Sequence, residues 1–259
     1  MKSSLIDWVL KIETLFIYLF LWVPIVVLVG FSFNSSRQVV VWEHASFQWY
    51  VKLWHDAMLL GALERSLWVA FLTTVLSILI GTPAALALSR WTFRGKTAFS
   101  RLVDLPLVIP EIVMASSMVI FFGILGIRLS MTTVVIAHVA FSVSYLIITV
   151  RARLAGFDRT LEEAAMDLGA DELVTFFRVT LPLILPGIIS GALLVFTLSL
   201  DDYVITSFVA GVGSTTLPLQ IYAMVKQGIS PEINAVSTVL LVLTMGLVAI
   251  SHVLQRRTH

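Results

Sequence analysis

Six apolar stretches, at about 12–33, 66–89, 102–125, 132–150, 183–209 and 234–254, are long enough to cross a hydrocarbon layer. A bilayer core takes roughly 20 apolar residues in helical form, and lipid leaves backbone groups no partner but the chain itself. The pattern predicts an all-α integral membrane protein with six transmembrane helices in a single transmembrane domain, 1–259. Composition agrees, with 58% of residues hydrophobic and 13% charged, well outside the soluble globular range. The first stretch follows Lys2 and Lys11 as a signal peptide would. Its length and the lack of a small-x-small cleavage site predict a retained helix instead. In a membrane protein the formal net charge of +1 says nothing about nucleic acid, and none is expected as a partner. The lack of cysteine excludes disulfides, thiolate metal sites and cysteine nucleophiles.

Orientation follows from the 17 lysines and arginines. With the N-terminus inside, Arg37, Lys52, Arg65, Arg128 and Lys226 fall outside and the other twelve fall in the cytoplasm, as the positive-inside bias requires. Both termini and the polar 151–182 loop are then cytoplasmic. The basic loop Arg90–Lys96 fixes topology by attraction to anionic lipid, and Arg256–Arg257 ends the sixth span. The first outer loop, about 34–65, holds Trp42, Phe47, Trp49, Tyr50 and Trp54; these form an interfacial aromatic belt or a docking surface, and its second half suits an interfacial helix. Asn34-Ser35-Ser36 is a chance glycosylation sequon. The last outer loop, Ala210 to Glu232, is rich in glycine and proline, which suits a mobile segment that meets a partner or gates the outer side.

Within the 151–182 loop, Thr160 and Glu163 form the pattern of a capping box, so a helix is expected from about Leu161. Gly169 is its left-handed stop, and Asp171 caps a second helix that runs to about Thr180. Leu161, Ala164, Ala165 and Leu168 fall at i, i+3, i+4 and i+7, an apolar stripe narrowed by alanines that lets a partner surface approach closely. So short a helix needs something packed on it.

Carboxylates interrupt two of the spans. Asp104, Pro106, Pro110 and Glu111 lie near the start of the third block, and Asp104 can pair with Arg101. A carboxylate such as Glu111 inside a bilayer costs about 2.5–3.5 kcal/mol on insertion scales, so it should face a pathway or a cation. In the fifth block Asp201 and Asp202 lie roughly 22 Å beyond Pro186 at 1.5 Å per residue. They are either the solvated end of a helix or a pair reached by water or a multivalent cation. In the fourth block His138 and Tyr145 line a path, or His138 is a hydrogen-bonded histidine between packed helices.

Glu163-Ala164-Ala165, then Gly169, then Val179-Thr180-Leu181-Pro182 resembles the EAA signature of permease subunits of bacterial ABC importers, with valine at 179 where isoleucine is usual. Phe33–Arg37, Phe93–Lys96, Glu163–Ala170, Phe196–Asp202 and Ser230–Ala235 are similar, along nearly the whole chain, to the spermidine/putrescine importer permeases. Glu111 stands where that family usually carries aspartate.

The resemblance implies a type I ABC importer permease fold in a bacterial inner membrane. Leu161, Glu163, Ala164, Ala165, Leu168 and Gly169 would form the coupling helix, docking on a homodimeric ABC ATPase. Asp201, Asp202 and Glu111 would carry the negative charge of the substrate pathway, with Tyr203 and Phe208 as aromatic walls, since polyammonium chains suit carboxylates and ring faces. A sister permease subunit, a periplasmic polyamine-binding protein and alternating access driven by ATP complete the expectation. The chain has no phosphate loop of its own, so it is expected to be non-catalytic, with ATP and magnesium bound by the ATPase subunit and no metal or catalytic residues here. Another organic cation or small solute is the alternative substrate. An ion-coupled secondary transporter would not need the alanine-striped cytoplasmic helix and would show an inverted repeat. A membrane enzyme would need more than the single intramembrane His138.

Overall fold

The third apolar block turns back on itself, and the prolines are the reason. A helix Lys96–Asp104 continues into a 3-10 turn Leu105–Leu107, and the next helix begins only at Glu111, bent by 110° from the first. Pro106 and Pro110 each lack an amide donor, and Pro110 disfavours helical geometry at the preceding Ile109. The broken pair stands where one span of 102–125 was expected.

The computed structural model describes residues 2–38, 41–228 and 230–256. In chain order the helices are α1 (Lys2–Phe31), α2 (Gln48–His55), α3 (Ala57–Arg90), α4 (Lys96–Asp104), α5 (Glu111–Ile124), α6 (Met131–Ala155), α7 (Thr160–Asp167), α8 (Glu172–Thr175), α9 (Leu181–Asp201), α10 (Val204–Val209), α11 (Leu217–Gln227) and α12 (Pro231–Arg256). Five helical runs, or six when the bent α4–α5 pair counts as one, are long and apolar enough to cross a membrane. The Arg256–Arg257 pair lies outside the residues whose side chains are described.

Several boundaries differ from the sequence expectation, each for a local reason. α3 starts at Ala57 rather than near 66, because the Asp56 carboxylate accepts from the Met58 and Leu59 amides at 2.8 and 3.1 Å, an N-terminal cap in an otherwise polar loop. The fifth block is one helical run from Glu172, through a π turn at Phe176–Thr180, to Asp201. There it breaks, so 183–209 is not a single helix. In the π turn the Leu181 amide reaches back five residues to the Phe176 carbonyl. The wider turn accommodates Pro182, which cannot donate to the Arg178 carbonyl four residues before it. The outer loop 210–232 holds α11, whose first amide, at Leu217, donates to Ser66 Oγ at 2.8 Å, while Arg65 Nε donates to the Thr215 carbonyl at 2.7 Å.

The chain forms two compact units, one of residues up to Leu60 with Ile221–Leu243, the other of Gly61–Gln220 with the residues from Thr244. In the first, none of the 18 most apolar residues of α1 is buried. Trp49 of α2 is buried and donates from Nε1 to the Asn34 carbonyl at 2.7 Å. Asn34 is buried as well, its side chain donating to the Val41 carbonyl and accepting from the Glu43 amide, so the sequon is a structural corner. Trp42, Phe47 and Trp54 are exposed, the disposition of interfacial aromatics.

The second unit has two cores. One joins α3, α4, α6 and α9 through Ala85, Val103, Leu146, Val150, Ile184 and Val195. The other joins α3, α5, α6 and α10 through Val69, Phe122, Val134, Ala137, Ile205 and Val209. α6 and α9 approach closely because Gly187 and Gly191 face Arg153 and Leu146, where an added Cβ would lie 2.8 Å from each side chain. Small residues four apart are how membrane helices bring backbones together without a hydrophobic driving force. Thr133, in the first turn of α6, accepts from the Ser130 amide and donates to the Val209 carbonyl, both at 2.8 Å. This pins the end of α10 to the start of α6.

Candidate transport and coupling sites

The break after α9 divides the acidic pair. Asp201, the last residue of the helix, is exposed, while Asp202 turns into extended backbone and points inward. One Asp202 oxygen accepts from the Thr206 amide and hydroxyl, each at 2.8 Å, and the other from the Ile205 amide at 3.3 Å. Its carboxylate thus caps α10. His138 lies fully buried between α9 and α10, with Nε2 3.2 Å from Asp202 and 3.0 Å from Thr206 Oγ1, and Nδ1 2.7 Å from Ser199 Oγ. A neutral ring protonated on Nε2 satisfies every group in this set: it donates to Asp202 and Thr206 and accepts from the Ser199 hydroxyl. Of the two readings open for His138, the structure has the hydrogen-bonded one. Tyr145 is half-buried and packs against the same core.

The other pathway candidates are dispersed. Glu111 is exposed in the first turn of α5, where a carboxylate favours the helix dipole. Among the described residues neither Glu111 nor Asp201 has an ion-pair partner, and Asp104 does not pair with Arg101. Phe208 is partly exposed and Tyr203 half-buried at the start of α10. α10 and α5 pack in one core, so the helices that carry or adjoin Glu111 and Asp201 belong to one assembly, while Asp202 is committed to holding it.

On the polar loop α7 begins at Thr160. The expected capping box does not form; Asp158 caps the helix, its carboxylate accepting from the Thr160 amide at 3.0 Å. Gly169 takes the left-handed conformation, φ +90°, and Asp171 caps α8 by accepting from the Val174 amide at 2.7 Å. Leu161, Glu163, Ala164 and Leu168 are exposed, Leu168 by 90%, and Ala165 is half-buried. The residue that sequence reading missed is Glu162. It is buried, and its carboxylate accepts from Arg90 Nη2 at the end of α3 and from Thr180 Oγ1 at the end of the π turn. No periodicity signals it, because its partners lie 72 and 18 residues away.

Hydrogen bonds from the Thr160 amide and hydroxyl hold the fully exposed Asp158 carboxyl below its ordinary value of 3.8. A carboxyl lowered on folding stabilises the helix start above that ordinary value, and the contribution is lost as pH falls through the lowered one. Asp158→Ala is therefore expected to reduce amide-exchange protection over residues 160–163 at pH 7. The difference from wild type should shrink as pH drops below about 4; a difference that persisted at low pH would mean the cap is not carboxylate-dependent.

A further polar cluster lies in the first unit. Lys52 donates to Glu232 at 2.5 Å and lies 5.8 Å from the centroid of the Trp49 ring. With Ser35, Arg37, Gln48, Ser230 and Pro231 they line a cavity of about 550 Å³. The Phe33–Arg37 and Ser230–Ala235 stretches, far apart in sequence, meet there.

Residues 77–258 match the family of binding-protein-dependent transport system inner membrane components. The chain is 41% identical over 243 residues to the spermidine/putrescine transport system permease protein PotC of Haemophilus influenzae, covering 94% of this chain and 95% of that one. It is 43% identical over 231 residues to the putrescine transport system permease protein PotI of Escherichia coli, covering 86% and 82%. Among solved structures, a chain of a bacterial ABC transporter that imports the acidic polysaccharide alginate superposes with a TM-score of 0.73 at 19% identity, covering 97% of each chain. A chain of the MetNI methionine ABC transporter gives 0.65 at 19% identity, covering 81% of this chain and 98% of that one. The shared architecture is that of ABC importer permeases, and the exposed α7 and broken α9–α10 helix are the features of this sequence set into it. The chain belongs to the inner-membrane components of binding-protein-dependent transport systems, in the branch that holds the spermidine/putrescine permeases.

Proposed function

We propose that the protein moves polyamines into the cytoplasm as one half of an ABC importer channel, with both termini and α7 on the cytoplasmic side. Likeness over nearly the full length to permeases named for spermidine and putrescine carries the reading. The site is compatible with it: Asp201 and Glu111 are carboxylates at the ends of membrane-spanning elements with no ion-pair partner among the described residues, and ammonium groups would neutralise them. Tyr203, in the break after α9, and Phe208, near the end of α10, can offer ring faces to a cation. A sister permease supplies the other half of the pathway, and a periplasmic polyamine-binding protein delivers the solute.

Energy enters through a homodimeric ABC ATPase that binds ATP and magnesium. α7 presents Leu161, Ala164, Ala165 and Leu168 to it, with Glu163 at the rim and Gly169 ending the helix. Closure of the ATPase dimer draws the two α7 helices together and opens the substrate pathway outward; hydrolysis reverses the motion. The test is ATP-dependent uptake of radiolabelled putrescine and spermidine into proteoliposomes holding the complete complex. Each polyamine should compete with the other, and a neutral amino acid should not. Stimulation of ATP hydrolysis by a different organic cation, with no polyamine accumulated, would overturn the substrate assignment.

A further inference from the structure

α7 has one buried side chain among its described residues, and it is a carboxylate. Glu162 binds Arg90, the last residue of α3, and Thr180, the last residue of the π turn that leads into α9. The Arg90 guanidinium also lies 5.6 Å from the centroid of the Phe157 ring, in the linker between α6 and α7. One side chain thus joins α7 to the end of one membrane helix and the start of another, and its cation touches the linker from a third.

The covalent route from α7 to α9 is less direct. It passes through Gly169 in left-handed geometry and then α8. A turn held by a glycine bends easily. A charge-assisted hydrogen bond to a guanidinium is directional and short, and with the site mostly closed to water it is little screened. The Thr180 contact falls at the end of the π turn, and such turns concentrate at sites that move or act.

We propose that Glu162 is the positioning residue that converts displacement of α7 into displacement of α3 and α9, so that ATP turnover is tied to the opening and closing of the pathway. The role rests on the ABC-importer reading above, and it differs from docking: the ATPase meets the exposed face of α7, whereas Glu162 holds the opposite, buried face to the membrane helices.

The test measures ATP hydrolysed per polyamine imported in proteoliposomes of the complete complex, with wild type, Glu162→Gln, Thr180→Val and the charge exchange Arg90→Glu/Glu162→Arg. Co-purification of the ATPase subunit with each variant checks assembly. Wild type that hydrolyses ATP but imports no polyamine would defeat the functional reading itself. Given a coupled wild type, Glu162→Gln should raise the ratio about tenfold, and the charge exchange should bring it back to within about threefold of wild type. A general loss of folding would lower uptake and hydrolysis together and leave the ratio unchanged. If Glu162→Gln does not assemble, Thr180→Val, which removes a single hydroxyl and leaves the ion pair, should raise the ratio about threefold. An unchanged ratio in the assembled variants overturns the proposal.

Discussion

Asp202→Ala should destabilise the folded protein by about 3–5 kcal/mol, because several buried neutral donors lose one shared acceptor, whereas Asp201→Asn should leave its stability almost unchanged. The alanine would strip a partner from the His138 ring, the Thr206 hydroxyl and the Ile205 and Thr206 amides together. Each buried donor left without an acceptor costs roughly 1–3 kcal/mol, and the losses overlap. In nanodiscs this should read as a fall in thermal midpoint of about 10 °C. On the proposed reading the effect of Asp201→Asn moves to transport: losing a carboxylate that would face an ammonium group removes about 1.5–3 kcal/mol, or roughly a 10- to 100-fold drop in uptake. Equal midpoint losses in the two variants would place both carboxylates in the buried network. Normal uptake by Asp201→Asn would remove that residue from the pathway.

Gly211→Ala should prevent the second unit from assembling normally. A Cβ there would lie 1.8 Å from the Leu129 carbonyl oxygen and 2.8 Å from the Ser130 nitrogen. Both are backbone atoms of the link between α5 and α6, so no side chain can turn aside to make room. Relief requires the Ala210–Gly211 segment or the start of α6 to shift, and with it the Thr133–Val209 hydrogen bond. The expected cost is at least about 3 kcal/mol, at the upper end for overpacking, visible as loss of monodisperse protein on extraction. Gly213→Ala is the matched control. Its positive φ of 80° is strained for alanine but its surroundings are open, and a loss of about 1–2 kcal/mol is expected. Equal behaviour of the two variants would contradict the close approach.

The parts of this architecture that were legible in the sequence are those set by averages over a long run or by strictly local chemistry. Hydrocarbon thickness fixes the length of an apolar run whatever its packing, so the membrane helices stood out, and Gly169 and Asp171 announced the turn between α7 and α8 because their conformational roles are local. What stayed hidden depends on contacts between distant residues. Thr160 and Glu163 fit a capping box, but Asp158 competes for the same amide and wins, because it sits two residues earlier in a turn that the pattern does not show. Asp201 and Asp202 are adjacent and chemically identical on paper; only the break in the helix gives one to the surface and the other to His138. Glu162 read as one more charge on a polar helix, because nothing near it in sequence reveals Arg90.

The soft joint of the α9 run lies at one end only. The π turn, Pro182 and Pro186 are gathered at the α7 end, while the residues from Gly187 to Asp201 form uninterrupted helix. Pivoting there makes Gly187–Asp201 a lever about 22 Å long, at 1.5 Å per residue. A rotation of roughly 10° about the joint sweeps the Asp201 tip through about 4 Å, most of the pitch of one helical turn. A small bend at the joint thus becomes a travel of ångströms where the carboxylate stands, and its extent is set by where the prolines fall along the rod.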